Sequence, residues 1–353
     1  MKGMKKILAV CMLGVMVFML TACGAEKGSA DTAEPADSGA VENNNTETSD
    51  EAAETSSDDK LVIAACMAGN DSGFMTYVVT GMMEYQLANA PDVDLQVVWS
   101  NNDSAKQQSQ VEQFIAQGVD AIILHPSDAV QGATMVDLAA ENGIPLVTVN
   151  TMTESTNNLA HIGSNDIEAG RLQMERIIEV CGEDCKVAYI DASLGHSAQI
   201  NRSIGYNEVL EEHPNVELVV HDTGNWSAEE SMVLVENWLE AGKEFDAILC
   251  MADCQLTGVI SAVENAELLD QIKLAGMDCE ETILEAIKAG KVDCSIWQDG
   301  YSQGTESLRL AIAAAKGEEV EDYIIPFEVC NVDNIDEYIE KNRERNETAA
   351  KYF

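Results

Sequence analysis

Positive charge is scarce in this sequence. Twenty lysines and arginines stand against 62 aspartates and glutamates, a formal net charge of -42 on 353 residues. A field of that sign disfavours nucleic acid and anionic membrane surfaces as partners and keeps the chain soluble. Catalytic signatures are missing as well. There is no G-x-S-x-G, no G-x-G-x-x-G after an apolar strand and no G-x-x-x-x-G-K-[ST], which removes the common nucleophile-elbow, dinucleotide and phosphate-cradle sites. His196 and Ser197 are adjacent, poor geometry for a nucleophile and its base. Nothing singles out Asp253 and Asp278 as the paired carboxylates of a glycosidase. No cysteine or histidine cluster has metal-ligand spacing. The chain reads as a non-enzyme with no cofactor and no metal.

Cysteine, by contrast, is plentiful. Apart from Cys11 and Cys23 there are eight, of which only Cys181-Gly-Glu-Asp-Cys185 is spaced for a local loop closure. Cys66, Cys250, Cys294 and Cys330 sit in apolar runs, where a thiol packs as a small hydrophobe. At the front, Lys2, Lys5 and Lys6 precede an apolar run from Ile7 to Leu20 that is too short to span a membrane comfortably. It ends in Leu20-Thr21-Ala22-Cys23, which resembles a bacterial lipobox, so residues 1–22 are expected to be a signal peptide and Cys23 the lipidated first residue. Gly24 to Asp59 is Ala, Ser, Thr, Asn, Glu and Asp with almost nothing large and apolar, a composition that cannot bury enough surface to fold. Residues 23–60 are therefore expected to be anchor and acidic tether, placing the rest outside the membrane.

From Leu61 onward, short apolar runs alternate with helical stretches of about a dozen residues, the pattern of parallel sheets wrapped by helices. Strands are predicted at Leu61–Met67, Val93–Trp99, Ala121–Leu124, Leu146–Val149 and Ala160–Gly163. After a boundary near Ser164 they recur at Val187–Ile190, Val216–Val220, Ala247–Met251, Leu274–Met277, Ser295–Trp297 and Tyr323–Val329, followed by a charged tail. Gly118 and Gly143 fall where helices should stop. No fixed-period repeat is present; the fold class is α/β, in two similar halves.

Ligands of open parallel sheets bind beyond the carboxyl ends of the strands, and polar residues gather there. Asn70-Asp71-Ser72-Gly73-Phe74 follows the first strand and Asn150 the fourth. In the second half come His196 to Arg202, with Ser197 able to cap a helix carrying Ile200, Ile204, Val209 and Leu210; then Trp226, Asp253, Asp278 and Gln298. Singly these are helix caps and turn residues; gathered at one edge they make a binding cleft. Aromatic rings pack on the C–H faces of a polyhydroxylated ligand, while carboxylates, amides and a guanidinium meet its hydroxyls.

Several ordered segments carry a family resemblance: Asn70-Asp71-Ser72-Gly73-Phe74-Met75, Ala90-Pro91-Asp92-Val93, Gln117-Gly118-Val119-Asp120-Ala121-Ile122, Gly195-His196 with Arg202, Trp226 with Trp238, Ala275-Gly276-Met277-Asp278 and Ala289-Gly290. Over Leu61 to Val329 the chain resembles type I periplasmic sugar-binding proteins, the substrate-capturing subunits of ABC importers, and among them the galactose/glucose-binding protein more than the ribose-binding protein. The resemblance implies two Rossmann-like lobes joined by three crossings, near Ser164, Gln298–Asp299 and Pro326. The first lobe would be 61–164 plus 299–325 and the second 165–298 plus 326–353. It implies Phe74 and Trp226 as sandwiching rings, Asn150, His196, Arg202 and Asp278 at hydroxyl-binding positions, and Gln298 at a crossing; Ser72 and Asp253 complete the expected ligand set. Partners would be a sugar or polyol and membrane permease subunits, the receptor acting as a monomer anchored through Cys23 on the outer face. A sensor presenting its ligand to a membrane receptor is the alternative. The galactose pattern has Asp, Asp and Asn where this chain has Ser72, Ala198 and Ala252, which weakens the case for glucose or galactose. Polyols, pentoses, nucleosides and furanosyl signal molecules stay open. The stretch from Cys181 to Lys186 is too short to supply the family's calcium loop. A repressor of the same two-lobed fold would need a helix-turn-helix where this chain has its leader.

Overall fold

The computed structural model describes residues 60–69 and 73–353. The expected leader, Cys23 and the acidic tether up to residue 59 lie outside these residues, as does Ser72. The described chain forms two six-stranded sheets. The first holds β1 (Val62–Met67), β2 (Asp94–Trp99), β3 (Ala121–His125), β4 (Leu146–Val149), β5 (Ala160–Gly163) and, much later in the chain, β11 (Tyr323–Ile324), in the order β11-β5-β4-β3-β1-β2. The second holds β6 (Lys186–Asp191), β7 (Glu217–Thr223), β8 (Ala247–Cys250), β9 (Lys273–Met277), β10 (Cys294–Trp297) and β12 (Glu328–Asn331), in the order β12-β10-β9-β8-β6-β7. All pairings are parallel except β10 with β12. The inner strands are continuous apolar runs because helices cover both faces, whereas the edge strands β2 and β7 are only half-buried.

The helices between them are α1 (Phe74–Asn89), α2 (Ser104–Gln117), α3 (Ala129–Glu141), α4 (Asp166–Cys181), α5 (Ser197–Glu212), α6 (Ala228–Glu240), α7 (Asp253–Asn265), α8 (Glu281–Lys288), α9 (Gly300–Ala315) and α10 (Ile335–Ala349). Side chains at strand ends start several of them: Asp103, Asp128, Asn165, Ser227 and Asp299 each accept a backbone N–H of the first turn. Gly118 ends α2 with φ 70°. Close helix pairs rest on glycine. A Cβ on Gly304 of α9 would stand 1.7 Å from the Val78 carbonyl oxygen of α1, and one on Gly81 of α1 2.1 Å from that of Tyr301.

The C-terminal region departs from expectation in two ways. Tyr323–Val329 is not one strand; the chain breaks at Pro326, whose ring nitrogen cannot donate to a ladder. The pieces on either side enter different sheets. The charged tail is a helix, α10, packed against α8 and α1. On α5 the buried face runs through Ala198, Arg202, Gly205, Tyr206 and Val209, while Ile200 and Ile204 are 44% and 40% exposed. The close approach of Gly205 to the Ile167 carbonyl selects that face. Among the described residues all eight cysteines are free thiols, Cys181 and Cys185 included.

Candidate functional site

A cavity of ≈ 320 Å³ lies where the carboxyl ends of the two sheets meet. Phe74, Asn102, His125 and Asn150 line it from the first lobe, His196, Arg202, Trp226 and Asp278 from the second, and Gln298 from the crossing after β10. Backbone strain concentrates here. Of the eight described non-glycine residues with positive φ, five line the cavity: Asn102, Asn150, Asn225, Trp226 and Asp278. Such conformations cost about 1–3 kcal/mol each and persist only where the surroundings hold them.

Several polar groups point into the cavity with a bond to spare. Arg202 uses Nε on Asp166 Oδ1 at 2.9 Å and Nη1 on the Met251 carbonyl, which leaves Nη2. Asn150 donates through Nδ2 to Gln303 Oε1 at 3.0 Å and keeps its own oxygen, while Gln303 donates on to Ser164 Oγ at the first crossing. His125 Nδ1 accepts from the Ala68 amide at 3.4 Å, so the proton sits on Nε2. The Asp278 carboxyl and the Gln298 amide, both on residues 4% exposed, have no hydrogen-bond partner among the described residues. Burial pushes the Asp278 carboxyl up to about 8; Glu280 adds to this, while Arg202 and Arg345 oppose it. Burial holds His125 at about 3.

His196 is the N-cap of α5: its Nδ1 accepts from the Ala198 amide at 3.2 Å. Its Nε2 therefore donates to Thr151 Oγ1 of the first lobe, 3.0 Å away. Desolvation, then the nearby Arg202 charge, lowers it to about 4. Ser197, expected as the cap, instead accepts from the Met152 amide at 3.0 Å. These two bonds latch the lobes across the mouth. Trp226 meets the His196 ring edge-on, with centroids 5.3 Å apart.

Asp253 is placed elsewhere. It begins α7 fully buried and accepts from Ser295 Oγ at 3.0 Å and from the Glu280 amide at 2.8 Å, away from the cavity. Sequence reasoning had passed over Asn102, Ser104, His125 and Ser127. All four follow or end β2 and β3, so the strand-end rule applied to those two strands would have found them.

Residues 63–319, well over half of the chain, match the model of the periplasmic binding protein domain family. The chain belongs to that family. Among relatives of this binding protein, a Rhizobium meliloti protein named for rhizopine binding is 38% identical over 288 residues, covering 79% of this chain and 93% of the relative. A xylitol-binding protein of Mycolicibacterium smegmatis is 32% identical over 275 residues, 76% of this chain and 77% of the relative. In structure it is similar to an ABC transporter solute-binding protein of Bacillus halodurans with bound myo-inositol. That match has a TM-score of 0.78 and 37% identity, over 81% of this chain and all of the other. The periplasmic binding protein is thus an extracytoplasmic solute receptor of the ABC-importer type and not an enzyme.

Proposed function

We propose that the solute is a polyol of the inositol class, held in the interlobe cavity and delivered to a membrane permease. One observation carries this reading: in the cavity that the Phe74 and Trp226 rings line, donors at Arg202 and His125, the acceptor at Asn150 and the two-way groups of Asp278 and Gln298 all face the solute space without a partner to complete them among the described residues. A ring of hydroxyls both gives and takes hydrogen bonds and satisfies such a set, whereas an apolar or purely anionic solute leaves buried groups unpaired. The charge of Arg202 is already met by Asp166, which favours a neutral ligand. Ala198 and Ala252 line the wall where the galactose pattern carries polar side chains, which argues against a hexose fit. The relatives named for rhizopine and xylitol and the myo-inositol complex support the same class.

Attachment through a lipidated Cys23, with the receptor acting as a monomer, completes the proposal. Its support is the lipobox-like Leu20-Thr21-Ala22-Cys23 and the acidic stretch that follows. Incorporation of a palmitate analogue into the expressed chain, lost in Cys23→Ser, tests the anchor.

The ligand is tested by calorimetric titration with myo-inositol, xylitol, D-ribose and D-galactose. The expected result is tightest binding of myo-inositol, weakened by about tenfold in Trp226→Ala, since a lost ring contact of about 1.4 kcal/mol is a factor of ten. Tightest binding of D-galactose, or no binding of any polyol, overturns the assignment.

A further inference from the structure

Behind the cavity wall, outside the set of residues that touch the solute space, Arg345 of α10 is 7% exposed and reaches three parts of that wall at once. Its Nη2 donates to the carbonyls of Asp278 at 3.0 Å and Cys279 at 2.8 Å. Its guanidinium lies 4.3 Å from the centre of the Trp297 ring, next in sequence to Gln298. It also lies 4.2 Å from the centre of the Tyr77 ring, on the first lobe. Tyr77 meets Phe74 edge-on at 6.4 Å and donates its hydroxyl to Asn346 Oδ1 at 2.7 Å. Asn342 Oδ1 accepts from Arg345 Nε at 2.8 Å and fixes the plane of the fork.

The segment it holds needs holding. Asp278 and Cys279 have φ of 106° and 52°, two successive left-handed residues without glycine. On one side the turn is pinned by Ser295 Oγ, which accepts the Cys279 amide at 3.1 Å, and by Asp253, which accepts that of Glu280. On the other side the two carbonyls turned out by that geometry both end on one nitrogen of Arg345. A lysine would bring the charge and donors for the carbonyls, but neither the Nε bond to Asn342 nor a plane to lie against the two rings.

We propose that Arg345 is a positioning residue for solute capture: without touching the solute it fixes the Asp278 turn of the second lobe and, through Tyr77, the Phe74 ring of the first, making the C-terminal helix part of the binding machinery. The inference rests on the polyol reading for its ligand but not for its geometry. The test is a double-mutant cycle with myo-inositol as probe, comparing wild type, Arg345→Lys, Asp278→Asn and the double variant. Arg345→Lys is expected to weaken binding by about tenfold alone and by less than about threefold once Asp278→Asn is present, because the larger part of its effect passes through the placing of that side chain and the smaller part through Phe74. Equal losses in both backgrounds, or no loss in Arg345→Lys, overturn the inference. Hydrogen exchange on the solute-free protein gives a second readout. Faster exchange of the Cys279 and Glu280 amides in Arg345→Lys, with the rest of the second lobe unchanged, supports the inference; unchanged exchange there overturns it. If the wild-type protein takes up no myo-inositol, the polyol reading falls and the exchange result alone decides the role of Arg345.

Discussion

Arg202 Nε donates to Asp166 Oδ1 at 2.9 Å, with both side chains under a tenth exposed. The pair joins α5 to the start of α4, just past the first crossing between lobes. It lets a guanidinium face the solute with its charge already balanced. Burial pushes the Asp166 carboxyl up and Arg202 draws it back, so each group depends on the other. Asp166→Asn leaves a buried cation without its counter-ion and should destabilise the solute-free protein by about 3–5 kcal/mol. Urea unfolding checks this; a loss below about 1 kcal/mol means that water reaches Arg202 and the pair is not a dry one.

Asp278 gives a pH signature. Burial lifts its carboxyl from an ordinary 3.8 to about 8 in the fold, with Arg202 and Arg345 favouring the ionised form and Glu280 and Asp166 opposing it. Between these values the folded chain holds a proton that the unfolded chain has lost, so this group's contribution to stability falls as pH rises from about 4 to 8. Asp278→Asn removes that dependence. The melting temperature of Asp278→Asn minus that of wild type should therefore grow from pH 4.5 to pH 8. A difference that stays constant shows that the carboxyl ionises freely in the cavity.

His196 works in the opposite direction. As long as it is neutral, Nδ1 caps α5 and Nε2 bonds Thr151; a proton on Nδ1 destroys the cap. With its value lowered from 6.5 to about 4, the stability it supplies is complete above pH 6.5 and is lost as pH falls toward 4. Asn retains a capping oxygen but no titrating ring. Wild type should therefore lose stability relative to His196→Asn across that window, with a slope approaching about 1.4 kcal/mol per pH unit. Parallel denaturant midpoints for the two proteins between pH 4 and 6.5 would remove His196 as the source.

Gly304 tests the packing beside the crossing. A methyl group there would stand 1.7 Å from the Val78 carbonyl, which is backbone and cannot rotate away. Gly304→Ala should cost at least about 1–3 kcal/mol despite the better helix propensity of alanine. Thermal unfolding of this variant beside Gly81→Ala checks it; two near-neutral substitutions mean that α1 and α9 can part without loss.

Much of this architecture was legible in the sequence because parallel strands covered on both faces are unbroken apolar runs. The chain from Leu61 to Trp297 shows these plainly, and the strand-end rule points to Phe74, Asn150, Arg202, Trp226, Asp278 and Gln298, all of which line the cavity. What escaped has physical reasons. In α10 the buried positions are Ile335, Tyr338, Asn342, Arg345 and Ala349, spaced as a helix demands, but two of the five are polar and the face between them is charged. The period was present without the apolar residues that advertise it. Asp253 was misplaced because position along the chain does not tell which way a carboxyl at a helix start turns. Here it turns down to Ser295.

Neither lobe is a continuous piece of chain. The first lobe's core takes Leu308, Leu310, Ala311 and Ile312 from α9, and its sheet takes β11, after the strands β6 to β10 of the other lobe have been laid down. The second lobe in turn waits for β12 and α10. A chain synthesised and threaded outward from its amino end therefore has no finished half to fold around until residues beyond 300 emerge. Completion of both halves waits for the last segments of the chain, and a chain cut short at residue 298 would lack α9 and β11 of one lobe and β12 and α10 of the other.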